Sequence, residues 1–251
     1  MKRFIKLIIL TFIITNFSFA QNSNKSQILV RGTITDLFDN SPMQVEVRFE
    51  NPLGKYFKIN SNSLTGRYEQ VLNANTKYEV RLFSAQIFPT EFILITPDVN
   101  NYTEIEQNYK VIRLDPGRTV LVYDLFSIGQ SDFNSNLNKV VDELNLKMRF
   151  NRNVKIKIEV CGIDSKNAFT KVLEKKIKKK VITESKFETK DFEELVNRRF
   201  EEITKIKTKL NYPERVSFGF NVNPDLSDKL LEKCIECDTR IIVTEYDPAI
   251  K

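Results

Sequence analysis

Two residues of this chain could together hold a ligand that carries both charges, Asp164 and Arg199. Upstream of the first, Val154, Ile156, Ile158 and Val160 alternate with Lys155, Lys157 and Glu159, the period-2 signature of a half-buried strand. That strand runs through Cys161, Gly162 and Ile163 into a loop that delivers Asp164. Residues 191–210 read as a helix on which Phe192, Leu195, Val196, Ile203, Ile206 and Leu210 fall on one stripe, with Arg199 in its middle and Arg198 on the opposite side. A guanidinium inside an apolar stripe must find an anion or reach water, because burying an unpaired charge costs several kcal/mol. An aspartate can take an ammonium and an arginine fork can take a carboxylate, which is binding chemistry rather than catalysis. The other reading of the same residues is an internal salt bridge, with Asp164 neutralising Arg199 and no ligand between them.

The composition removes most catalytic designs. Among 251 residues there is no histidine and no tryptophan. A Ser-His-Asp or Cys-His nucleophile and a His-ligated zinc are therefore excluded. Carboxylate chemistry remains open, but nothing in the spacing organises it. No catalytic residue, metal or cofactor is expected, and the chain reads as a non-enzyme. Three cysteines are present: Cys161, Cys234 and Cys237. The Cys234/Cys237 spacing suits a small loop-closing disulfide, and redox or metal use is the alternative.

Residues 1–20 read as a signal peptide. Lys2, Arg3 and Lys6 precede an apolar run over residues 7–14, and Ser18, Phe19 and Ala20 fit a small-x-small cleavage site. The run is too short to span a bilayer. The whole chain carries 39 basic and 33 acidic residues; without the three basic groups of the leader, 36 face 33 and the net charge is +3. That balance gives no support to nucleic-acid binding. One local exception is residues 171–180, with six lysines and one glutamate. This run reads as a solvated helix face, and attraction of anionic glycan or phosphate polymers is the alternative.

Residues 27–115 read as an all-β unit. A strand over 28–35 ends in the turn formers of residues 36–42. Val45, Val47 and Phe49 alternate with polar residues, Thr65 and Gly66 turn into a strand from Arg67, and Tyr78, Val80 and Leu82 alternate with Glu79 and Arg81. Gly32 to Asp36, Val45 to Val47, Leu64 to Tyr68 and Thr76 to Val80, in that order, resemble a carboxypeptidase-regulatory-like (transthyretin-like) β-sandwich. That resemblance implies a spacer or contact module without a catalytic motif.

Residues 117–251 read as a strand from Thr119, a helix carrying Phe133, Leu137, Val140, Val141, Leu144 and Met148, then the strand and helix of Asp164 and Arg199, and strands over 214–220 and 240–245. This order resembles the OmpA-like C-terminal peptidoglycan-binding family. Cys161, Gly162, Ile163 and Asp164 stand where that family has Gly-His-Thr-Asp, and Leu195 to Arg199 stand where it has Leu-Ser-x-x-Arg. Val196 and Phe192 replace the family's helix Ser and the Asn before it, Asn223 and Pro224 lie where a Pro often follows the next strand, and Thr239 to Val243 resemble its closing strand.

The resemblance implies an α+β chain in which an N-terminal sandwich precedes an OmpA-like α/β two-layer sandwich. It also implies that Asp164 and Arg199 grip the diaminopimelate stem peptide of peptidoglycan and tether an envelope assembly to the wall. The expected place is the periplasm at the outer membrane, with other envelope proteins as partners of the N-terminal sandwich. The alternative is a protein-interaction subunit of an outer-membrane, secretion or motility complex whose wall site has decayed.

Overall fold

Alternation of buried and exposed positions builds the first half of the chain. In the computed structural model, which describes residues 26–165, 170–177, 180–187, 189–222, 230, 234 and 237–249, this half forms two four-stranded sheets. The leader and the Asn223/Pro224 pair lie outside the described residues. One sheet is centred on β1 (Gln27–Asp36). Its partners are β4 (Arg67–Asn73), antiparallel, and β7 (Thr103–Glu106) and β8 (Tyr109–Val111), both parallel. The other runs β3 (Tyr56–Asn60), β2 (Glu46–Glu50), β5 (Lys77–Ser84), β6 (Ile87–Ile95), antiparallel throughout.

Ile28, Val30 and Ile34 from the first sheet meet Val47, Phe49, Tyr78, Val80 and Leu82 from the second in one buried cluster. Each such side chain contributes about 1.5–3 kcal/mol on burial. Tyr68 stacks on Tyr109 with ring centroids 6.0 Å apart and donates its hydroxyl to the Gln107 carbonyl at 2.6 Å. The chain between β7 and β8 passes so close to Gly32 that a Cβ there would lie 1.9 Å from the Gln107 carbonyl oxygen. Only glycine fits this crossing.

The second half has a four-stranded sheet in the order β13 (Val216–Asn221), β10 (Val154–Cys161), β14 (Thr239–Tyr246), β9 (Thr119–Tyr123). Strand β10 runs parallel to β13 and antiparallel to β14. Helix α1 (Leu137–Phe150) buries Val140, Val141, Leu144 and Met148 against this sheet. Helix α2 (Thr189–Thr204) buries Phe192, Leu195, Val196, Arg199 and Ile203. The opposite face of the sheet is charged: Glu159 lies between Lys157 at 2.5 Å and Arg240 at 2.5 Å. Burial pushes the Glu159 carboxyl up, but these two cations outweigh it and hold it below the usual carboxylate range.

Here the sequence-based expectation of an OmpA-like α/β two-layer domain is overturned. The described chain is mostly strand, its strands divide among small separate sheets, and it has two α-helices. Of the lysine-rich run 171–180 expected on a helix, Lys178 and Lys179 lie outside the described residues and the rest lies instead in β11 (Thr170–Ile177) and at the start of β12 (Lys180–Phe187), two antiparallel strands that pair with each other alone among the described strands. The physical reason lies in the residue types. Val172, Ile177, Val181, Ile182 and Thr183 are β-branched and favour the extended chain over the helix.

The halves are tied together through α1. Asn151, the residue capping its C-terminus, is buried and donates its side-chain amide to the carbonyls of Ser84, Ala85 and Ile87, the last at 2.8 Å. Phe88 of β6 packs in the core of the second half. Buried Asp36 at the end of β1 accepts from the Arg113 amide at 2.9 Å and the Arg118 guanidinium at 2.8 Å. No helix among the described residues is long and apolar enough to cross a membrane.

Candidate functional site

Arg199 sits where the α2 stripe predicts, and it is fully buried. The chain leaving β10 reaches it only because residue 162 is glycine. A Cβ at Gly162 would lie 2.5 Å from Cε2 and Cζ of Phe192 and 3.0 Å from Cγ2 of Val196. The tight turn that follows, closed by the Ser165 amide on the Gly162 carbonyl at 3.1 Å, carries Asp164 against the guanidinium. The pair is bidentate: Nη1 to Oδ1 at 2.7 Å and Nη2 to Oδ2 at 2.9 Å. The two side chains are 0 % and 1 % exposed.

A third element completes the enclosure. Between β9 and α1, residues 126–133 form a strap across the guanidinium. Arg199 Nε donates to the Gln130 carbonyl at 2.7 Å and Nη2 to the Ser127 carbonyl at 3.0 Å. The Phe126 ring lies 5.0 Å from Cζ, a cation–π contact, and is itself stacked on Phe133. Ser165 Oγ joins all three parts: it donates to Asp164 Oδ2 at 2.6 Å, accepts from Arg199 Nη2 at 3.1 Å, and accepts from the Gly129 amide at 2.8 Å. The strap is rooted on Asp238, which accepts from the Leu125 and Phe126 amides and the Thr239 hydroxyl. Burial pushes the Asp238 carboxyl up to about 7, against the lowering effect of those hydrogen bonds and of Arg199 nearby.

Chemically, the arrangement is self-contained. The guanidinium makes five hydrogen bonds to Ser127, Gln130, Asp164 and Ser165, and the carboxylate is matched by the fork and a hydroxyl. A buried charge pair of this kind is tolerated because its donors and acceptors are satisfied. Two clefts on the described surface lie elsewhere. One of about 300 Å³ is lined by Arg31, Gly32, Arg67, Glu69 and Asn108 on the outer face of the first sheet. Another of about 610 Å³ is lined by Arg152, Lys155, Arg215 and Tyr246. Neither Asp164 nor Arg199 lines either one.

Sequence reasoning singled out Asp164 and Arg199, and the structure brings them together. It did not single out Ser127, Gln130, Ser165 or Asp238. The polar, glycine-containing stretch 127–132 is visible as a loop, but its contribution is made by backbone carbonyls, which no residue type announces. Cys234 and Cys237 are joined in a disulfide. Cys161 is a free, buried thiol with Sγ 3.9 Å from the Cys237 carbonyl, and burial pushes it up to about 12. Among the described residues, no group of three or more carboxylates or cysteines is placed to hold a metal ion.

Comparison with known proteins adds little. No family model matches this chain, and no curated protein matches it in sequence. Among solved structures, catechol 1,2-dioxygenase from Acinetobacter sp. aligns at 12 % identity and a TM-score of 0.28, covering 38 % of this chain and 55 % of that one. A protein from Bacteroides uniformis described as carbohydrate-binding aligns at 15 % and 0.28, covering 39 % and 49 %. A C-terminal fragment of the pilus adhesin SpaC from Lactobacillus rhamnosus GG aligns at 10 % and 0.28, covering 37 % and 48 %. The chain spans about half the length of each of these structures. Scores of this size carry no argument about fold or function.

Proposed function

We propose that this chain is an exported, non-catalytic envelope protein that works by contact with other macromolecules, and that Asp164 and Arg199 form an internal tie rather than an open wall-binding cleft. The observation that carries this reading is the closure of the pair: 0 % and 1 % exposure, with the strap carbonyls of Ser127 and Gln130 filling the remaining face of the guanidinium. A stem peptide would have to displace Asp164 from Arg199 and lift the strap before either end could bind. Removing one partner of a buried ion pair costs about 3–5 kcal/mol, a penalty the ligand would have to offset. The non-catalytic part of the reading is supported by the lack of histidine and by the engagement of Asp238, the carboxyl raised to about 7, with backbone amides.

Wall attachment through the same residues is the second reading. It is favoured by one feature: the strap holds Arg199 through backbone carbonyls, which a ligand's carboxylate could replace. Sedimentation with isolated peptidoglycan separates the two. Under the internal-tie reading the wild-type protein stays in the supernatant. Pelleting by wild type, lost on Arg199→Ala with circular dichroism unchanged, would establish wall binding instead.

A further inference from the structure

The outer face of the first sheet carries charges whose neighbours are fixed by register. Arg31 of β1 lies beside Glu69 of β4 on one side and Glu106 of β7 on the other. Its Nη1 nevertheless donates to Glu104, at 2.8 Å. Arg67 stands on β4 two residues before Glu69, opposite Thr33 of β1. Arg67 and Glu69 are both exposed, and among the described residues neither side chain makes an ion pair or a hydrogen bond. Charges of opposite sign on one face thus stay apart.

They surround a break in the sheet. On β1 the pairing with β7 ends at Arg31 and the pairing with β8 begins at Ile34, so the chain crosses a gap over Gly32. The crossing is pinned by the Gln107 amide on the Arg31 carbonyl at 2.8 Å and by the Tyr68 hydroxyl on the Gln107 carbonyl at 2.6 Å. Asn108 Oδ1 accepts from the Thr33 amide at 2.8 Å and the Thr33 hydroxyl at 2.9 Å, and Asn108 Nδ2 donates to Glu106 Oε1 at 2.8 Å. This chain of bonds orients the Glu106 carboxylate, and among the described residues its Oε2 has no partner. The cleft of about 300 Å³ opens here, lined by Arg31, Thr33, Arg67, Glu69, Glu106 and Asn108.

Same-face positions on a strand are about 6.6 Å apart and neighbouring strands about 4.8 Å apart, so Arg67 and the two carboxylates are within reach of one small molecule. The charges lining the cleft cancel, Arg31 and Arg67 against Glu69 and Glu106. A simple anion would answer Arg67 and face two carboxylates, and a simple cation would leave Arg67 unanswered. A molecule with an ammonium and a carboxylate on one carbon answers both signs. The guanidinium fork takes the carboxylate, and the carboxylates take the ammonium through charge-assisted hydrogen bonds. Groups held in place beforehand lose little freedom on binding. We infer that this cleft binds the head group of an α-amino acid, its carboxylate on Arg67 and its ammonium on Glu106 and Glu69. The site goes beyond the internal-tie reading, shares no residue with it, and stands or falls apart from it.

The test is titration of the isotope-labelled chain from Gln21 onward with alanine, read by amide shifts in two-dimensional NMR. Propionate, which lacks the ammonium, ethylammonium, which lacks the carboxylate, and glucose, which has neither, are titrated alongside. Alanine is expected to give saturable shifts at Thr33, Arg67 and Asn108. Propionate and ethylammonium should each bind at least about tenfold more weakly, the factor expected for one lost charge-assisted contact. Arg67→Gln should weaken alanine binding by about the same factor and leave ethylammonium unaffected. Glu106→Gln should weaken alanine and spare propionate. Lys77→Gln, exposed on the second sheet, should titrate as wild type does. The same spectra show whether each variant is folded, and the four ligands on wild type decide the matter if one is not. No saturable shift with alanine, propionate binding as tight as alanine, or an unchanged alanine affinity in folded Arg67→Gln would overturn the inference. Glucose binding as tight as alanine would also overturn it and make the cleft a sugar site.

Discussion

Asp238 accepts the Phe126 amide at 2.7 Å, and the strap that covers Arg199 starts from that bond. The carboxylate also receives the Leu125 amide and the Thr239 hydroxyl, so one buried acid aligns β9, β14 and the first residues of the strap. The burial that lets it organise three segments also raises its pKa to about 7, while in the unfolded chain it titrates near 3.8.

A pH dependence follows. Between about pH 4 and pH 7 the folded protein keeps a proton that the unfolded chain has released. The stability contributed by the protonated acid is fully present below the unfolded pKa and is lost as pH rises through the folded one. Urea midpoints should therefore fall from pH 5 to pH 7.5 in wild type. Asp238→Asn keeps an oxygen for the Phe126 amide and removes the titration, so its midpoint should be nearly flat across that window. Equal slopes in the two proteins would contradict the assignment.

Gly162 sets how closely the Asp164 turn approaches α2. In Gly162→Ala the new methyl would start 2.5 Å from the Phe192 ring, so the ring, the helix or the Asp164 turn has to shift. Overpacking of this kind costs about 1–3 kcal/mol. Thermal melting should show a clear drop in midpoint, and Phe192→Leu in the same background should recover part of it.

At the junction of the halves, Asn151 answers the carbonyls of Ser84, Ala85 and Ile87 from a buried position. Asn151→Ala removes the buried amide that answers those carbonyls, a loss of about 1–3 kcal/mol. Because the same residue links α1 to the turn between β5 and β6, amide exchange at Gln86 and Ile87 should accelerate together with that at the end of α1. Acceleration confined to α1 would show that the halves are held by other contacts, such as Phe88.

How much of this was legible in the sequence depends on which force fixed each element. The alternation of Val47 and Phe49, and of Ile156 and Ile158, appears in the structure as strands because side-chain period and burial have one cause. The helix expected from Phe133 starts at Leu137, because Phe133 is used by the strap, stacked on Phe126 at 4.9 Å. The helix expected to reach Leu210 ends at Thr204 and continues as a tighter turn over Lys205–Lys209. The run 171–180 carries the lysines of a solvated helix, but Val172 and Ile177 between them favour the extended chain, and its described residues lie in strands. Arg199 stood out because a charge inside an apolar stripe needs an anion. That the remaining partners are the carbonyls of Ser127 and Gln130 could not be read, since every residue carries a carbonyl.

The most direct test of the internal tie is a double-mutant cycle by urea unfolding on wild type, Asp164→Ala, Arg199→Ala and the double variant. A tie predicts that each single change costs about 3–5 kcal/mol, because it strands a buried charge. The double variant should then cost less than the sum of the two by at least about 2 kcal/mol, the range expected of residues in direct contact. Single variants within about 0.5 kcal/mol of wild type, and additive with each other, would be the behaviour of surface positions. That result would mean the pair is open in solution, and it would contradict the account.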